Sequence, residues 1–141
     1  MVKAFRCFVA VVLLSYGLAG QVSAQESPEA IQSVIKNQIA AFLNDDAKTA
    51  YSFASPSIQG KFPSQDLFFE MVKRAYQPVY RPGNFAFGRS KAAGDQIIQE
   101  VLITGPDGKD STAIYLMQKQ PDGSYKINGV QILQTTVGPA I

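Results

Sequence analysis

The stretch Tyr76–Pro82, YQPVYRP, decides the fold, because the periodicity of the chain changes across it. On its N-terminal side, SQDLFFEMVKRAYQ (residues 64–77) sets Phe68, Met71, Val72, Ala75 and Tyr76 at helical spacing behind Ser64, a good N-cap. Lys73 and Arg74 fall in its last turn, where cations favour the helix dipole. On its C-terminal side, NFAFGRSK (residues 84–91) puts Phe85 and Phe87 on one face of a strand. Pro78 and Pro82 disfavour helix at Gln77 and Arg81. The chain is therefore expected to leave its helix near Tyr76 and run extended into the first strand, with Tyr80 pointing opposite to Val79 and Arg81.

Upstream, SPEAIQSVIKNQIAAFLNDD (residues 27–46) opens with Ser27 as cap, Pro28 at the first helical position and Glu29 at the positive end of the dipole. Ile31, Val34, Ile35, Ile39, Phe42 and Leu43 give it one apolar face. Asp45 or Asp46 caps a second helix, AKTAYSFAS, whose inner side is Ala47, Ala50, Tyr51 and Ala54. Ser55-Pro56 breaks that helix, and PSIQGKFP reads as a loop holding one helical turn, with Ile58 and Phe62 inward. Downstream, DQIIQEVLIT and STAIYLMQKQ are joined by GPDGKD, and PDGS leads into YKINGVQILQTT; both Pro-Asp-Gly connectors are hairpin chemistry. The prediction is an α+β domain: three N-terminal helices packed on a four-stranded antiparallel meander.

Two details refine the sheet. In the last strand Tyr125 and Ile127 have one parity and Val130 and Ile132 the other, so a β-bulge is expected at Asn128-Gly129. The second and third strands carry apolar residues on both faces: Ile97, Val101 and Ile103 against Ile98 and Leu102, and Ile114 and Leu116 against Ala113, Tyr115 and Met117. Helices on one side explain only half of these, so the outer face is expected to be covered as well, by a second copy of the chain in a homodimer.

The N-terminus reads as a signal peptide. Lys3 and Arg6 precede an uncharged apolar run from Cys7 to about Gly20, and Val22 and Ala24 provide a small-residue cleavage site, so residues 1–24 are expected to be removed and residues 25–141 to form one domain. The run is short of the roughly 20 residues a spanning helix needs, so no stable membrane anchor is expected. Secretion or a periplasmic location follows. The precursor's net charge of +2 disappears with Lys3 and Arg6, which argues against nucleic acid as a partner. Cys7, the single cysteine, leaves too, so stability rests on a hydrophobic core and not on disulfides.

The runs IQSVIKNQIAAFLNDDAKTAYSFASPSIQGKF, MVKRAYQPVYRPGNFAFG and DGSYKINGVQIL together resemble the DUF4864 family of the NTF2-like, or cystatin-like, superfamily. ASPSIQ and PVYRP are the most specific segments of that resemblance. It implies a sheet that wraps round the long helix to enclose a cone-shaped cavity. It carries no activity with it, and fold alone does not imply function.

With no histidine anywhere and no cysteine after Cys7, His-dependent triads and His/Cys zinc sites are excluded. Neither a P-loop nor a dinucleotide fingerprint is present, so no cofactor and no metal is expected. Enzymes that share the implied fold pair a carboxylate base with a tyrosine in an apolar cavity. Asp66, Glu70, Asp95 and Glu100 are the available acids, and Glu100, mid-strand between Ile98 and Leu102, is the catalytic candidate, although no acid matches a catalytic motif. Binding of a small apolar ligand is the stronger reading, with Phe42, Tyr51, Phe68, Tyr76, Phe85, Phe87 and Tyr115 in the wall. The same aromatics also serve as ordinary core. Arg81 is read first as a cap on helix carbonyls or a partner of a surface acid. With Tyr80, it is read second as a site for an anionic head group.

Overall fold

The computed structural model describes residues 28–134. Ser27, Cys7 and the expected cleavage point at Ala24 lie outside them. The order of elements is α1 (Pro28–Leu43), α2 (Ala47–Ser52), α3 (Pro56–Lys61), α4 (Gln65–Ala75), α5 (Gln77–Tyr80), β1 (Asn84–Ala93), β2 (Gln96–Thr104), β3 (Asp110–Lys119) and β4 (Tyr125–Gln134). This is the expected α+β arrangement of helices followed by a four-stranded antiparallel meander, in spatial order β1-β2-β3-β4.

The apolar face of α1 buries Ile31, Ile35, Ile39 and Phe42, while Leu43, one residue further round the helix, stays exposed. Its end is a Schellman turn: Asp46 N–H donates to Ala41 O (2.8 Å), Asp45 N–H to Phe42 O (3.0 Å), and Asp45 takes the left-handed conformation, φ 53°. Asp46 then caps α2 through Thr49 N–H (3.1 Å), and Ser55 and Ser64 cap α3 and α4 in the same way. In α4 the buried residues are Phe68, Phe69 and Val72; Phe69 was not expected inside, and Ala75, which was, is exposed.

The YQPVYRP segment departs from expectation. Gln77–Tyr80 is one turn of helix, α5, instead of extended chain. Pro78 sits in its first turn, where a missing N–H leaves no helical bond unmade, and Tyr76 O accepts from both Val79 and Tyr80 (2.9 Å each). The turn swings Val79 into the core, 3% exposed, and leaves Tyr80 and Arg81 half-buried beside α1. Arg81, ahead of Pro82, is non-helical as expected, whereas Gln77, ahead of Pro78, is helical.

In the sheet, Val101, Ile103, Ala113, Tyr115, Met117, Tyr125 and Ile127 face the helices and form the core with α1. Leu116 stands opposite Gly129 and Met117 opposite Ile127, so Asn128 is the extra residue of the expected bulge. A second bulge was not foreseen: Phe87 pairs with Val101 and Ser90 with Gln99, leaving Gly88 and Arg89 against Glu100. The Gln99 amide N–H holds this bulge together, donating to the carbonyls of Gly88 (3.2 Å), Arg89 (3.4 Å) and Glu100 (2.9 Å). Finally, the α2–α3 junction lies along the free edge of β4. Ala54 bridges Ile127, with Ser55 N–H donating to Ile127 O and Ile127 N–H to Phe53 O (2.8 Å each).

Candidate functional site

Between the helices and β4 lies a cavity of about 370 Å³, within the range of small-molecule pockets. Phe42 of α1, Ile58 of α3, Phe68 and Met71 of α4, and Ile127 and Val130 of β4 build its apolar wall. Gln38, Lys61, Tyr76 and Asn128 supply its polar side chains. The Asn128 bulge matters here, because it turns Val130 back to the inner face while presenting its own side chain at the cavity. Ser55 Oγ donates to Asn128 Oδ1 at 2.7 Å, which fixes that amide.

Of the residues expected in the wall, Phe42, Phe68 and Tyr76 line the cavity. Tyr51 stands behind it, its ring 5.6 Å from that of Phe68 and its hydroxyl donating to Phe62 O (2.6 Å). Phe85 and Phe87 pack edge to face against each other on β1 (5.9 Å), away from the cavity. Tyr115 is fully buried in mid-sheet, and burial pushes its phenol well above the usual range. Ile58, Lys61, Met71, Asn128 and Val130 were missed as wall residues. The Asn128 bulge was already legible in the sequence, and carrying it one step further would have placed Asn128 and Val130.

Tyr80 and Arg81 serve the end of α1 and do not line the cavity. Arg81 Nη1 donates to Phe42 O, Nη2 to Asp45 Oδ1 (2.6 Å), and the Tyr80 hydroxyl donates to the same oxygen (2.6 Å). The guanidinium also stacks 4.0 Å from the centre of the Tyr80 ring. The Tyr80 hydrogen bond and then Arg81 hold the Asp45 carboxyl below the usual carboxylate range, and the same bond pushes the Tyr80 phenol up. Arg81 thus takes the capping and pairing role, but on α1 and not on the helix that precedes it.

Glu100 points to the opposite face of the sheet. It lies over Gly88, where an added Cβ would come within 3.2 Å of Glu100 Cβ, and receives two bonds from the Arg89 guanidinium (2.9 and 3.1 Å). Those bonds hold its carboxyl below the usual range. Asp66 and Asp95 are exposed, and Glu70 pairs with Lys73 (3.3 Å). Among the described residues no carboxylate lines the cavity, and no group of three or more His, Cys, Asp or Glu could hold a metal ion. No described helix is long and apolar enough to cross a membrane.

On the outer face, Leu102 (52% exposed), Leu116 (36%) and Leu133 (46%) stand among half-buried Ile98 and Ile114. They form an apolar patch framed by Glu100, Gln118, Lys126 and Gln131. The two-sidedness read from the strands is therefore real in the monomer.

Helices first, then a bulged four-stranded meander closing on an apolar cavity: this places the chain among small α+β domains of one helical layer on one antiparallel sheet. It belongs to the DUF4864 family, described as a domain of unknown function, whose model matches residues 24–139. Among solved structures it is similar to an NTF-2 like protein of unknown function from Burkholderia xenovorans, at 13% identity and a TM-score of 0.49 over 80% of this chain and 90% of that one. No curated protein matches.

Proposed function

We propose that this is an exported, non-enzymatic binding protein that holds a small apolar or amphipathic molecule in the cavity between its helices and β4. The observation that carries the reading is the cavity itself: about 370 Å³ with an apolar wall and a few polar groups. Export is supported by the basic-then-apolar N-terminal segment. A catalytic role is disfavoured because the acids that would act as base lie elsewhere, Glu100 on the far face beneath Arg89.

The test is native mass spectrometry of the protein purified from its own host, joined to titration with the neutral fluorophore N-phenyl-1-naphthylamine. A co-purifying small molecule, or saturable probe binding at one site per chain, is the expected result. An apo protein that leaves the probe dark would overturn the reading. A second reading, a homodimeric interaction module, is favoured by the exposed leucines of the outer face. An apo dimer in the same spectrum would favour it over ligand binding.

A further inference from the structure

We infer that the occupant of the cavity is an anionic amphiphile, its apolar body against Phe68, Met71 and Val130 and its acidic head at Lys61. The inference rests on the reading of the cavity as a ligand site and adds the charge and chemistry of the ligand.

Among the described residues, Lys61 is the one charged residue that lines the cavity. Its position in the last turn of α3 offers an ordinary explanation, a cation set against the carbonyl end of a helix. The Lys61 ammonium nevertheless makes no hydrogen bond to those carbonyls among the described residues; the Tyr51 hydroxyl donates to the carbonyl of Phe62, the cap residue, at 2.6 Å, with Gln59 O at 3.4 Å. The ion pairs among the described residues are Lys73 with Glu70, Arg81 with Asp45, and Arg89 with Glu100, so Lys61 has no acid of its own. An unpaired cation beside low-dielectric walls, with no carboxylate in the lining, gives the site a positive field that favours anions and rejects cations.

The remaining polar groups agree. Asn128 has its carbonyl oxygen taken by Ser55, while its N–H₂ makes only a long contact with Gln96 Oε1 (3.4 Å) and so keeps a hydrogen to donate. The Tyr76 hydroxyl forms no hydrogen bond among the described residues and is a further donor. Gln38 directs its amide N–H to Ala50 O (3.1 Å) and belongs to the scaffold. A cation and two free donors match a head group made only of acceptors, which is what a carboxylate presents.

The experiment is displacement of N-phenyl-1-naphthylamine by decanoate, decanol and decyltrimethylammonium, from the wild type and from Lys61→Gln. Decanol is the more apolar of the first two, so partitioning alone ranks it ahead of decanoate. The expected result is the reverse in the wild type, decanoate displacing the probe at roughly tenfold lower concentration, as one charge-assisted hydrogen bond provides. That preference should disappear in Lys61→Gln and weaken with salt, each protein's displacement being referred to its own probe affinity, while the melting temperature changes little because Lys61 is exposed. Equal competition by acid and alcohol, preference for the ammonium, or an unaltered preference in the variant would overturn the anionic assignment and leave the cavity reading standing. No probe binding at all would bring down the cavity reading first, and this one with it.

Discussion

Asp45 holds a backbone conformation that residues with a Cβ rarely adopt, and it does so at the point where α1 must stop. Tyr80 and Arg81, from a segment 35 and 36 residues away, bond its carboxylate there. Asp45→Asn keeps the turn geometry and removes the charge, so it is expected to lower the melting temperature modestly at pH 7. The sign with pH is fixed: the folded carboxyl titrates below its unfolded value, so its contribution is present above the unfolded pKa, about 3.9, and is lost as pH falls through the folded one. Asp46, Glu100 and Asp122 are depressed as well. With no histidine to titrate, thermal stability should be flat from about pH 6 to 8, then fall below about pH 4, and the wild type and Asp45→Asn should converge there; melting curves across pH check both points. Tyr115 makes the opposite case. Its hydroxyl is buried without a protein partner among the described residues, so Tyr115→Phe is expected to be neutral or to stabilise by up to about 1 kcal/mol in urea denaturation.

At the scale of elements, the bulges decide which side chains reach the cavity. Deleting Asn128 would remove the extra residue and leave Tyr125, Ile127, Val130 and Ile132 alternating inward on an unbulged strand, with the Asn128 side chain and its bond from Ser55 gone. The expected outcome is a cooperative melt at a modestly lower temperature, by circular dichroism, together with weakened probe binding; binding unchanged from the wild type would show that the Asn128 side chain is dispensable to the cavity. This bulge was legible because the apolar parity flips across Asn128-Gly129. The bulge at Gly88-Arg89 was hidden, since β1 beyond Phe87 carries no apolar alternation and is exposed on both sides. Caps were legible for the same local reason, a serine or aspartate just ahead of a periodic run. The α5 turn was not, because the bias of a pre-proline residue is weak against the burial of Val79. The cavity was half legible: periodicity separates inside from outside, but which inward residues touch one another and which surround a space depends on helix placement, a non-local matter.

For the whole molecule, the outer face sets the question of assembly. Leu102 and Leu133 flank Thr112 in one cross-strand row, and Leu116 lies over Gly129 next to Ile98. If this patch joins two copies, Leu102→Glu should convert the dimer to monomer in sedimentation velocity, with an unchanged circular dichroism spectrum, since the side chain is about half exposed in the monomer. A monomeric wild type would refute the homodimer. The rims of the sheet tell a different story from its face. A four-stranded meander has two open margins, each a row of backbone groups able to recruit any extended chain that drifts past. Along one margin Ala54 and its neighbours occupy the backbone of Ile127, and along the other the kink at Gly88-Arg89 and the exposed Arg89 and Lys91 spoil the template. The link between the second and third helices therefore does for one margin what a neighbouring strand would do, and loosening it would uncover the backbone of Ile127 to any extended chain within reach.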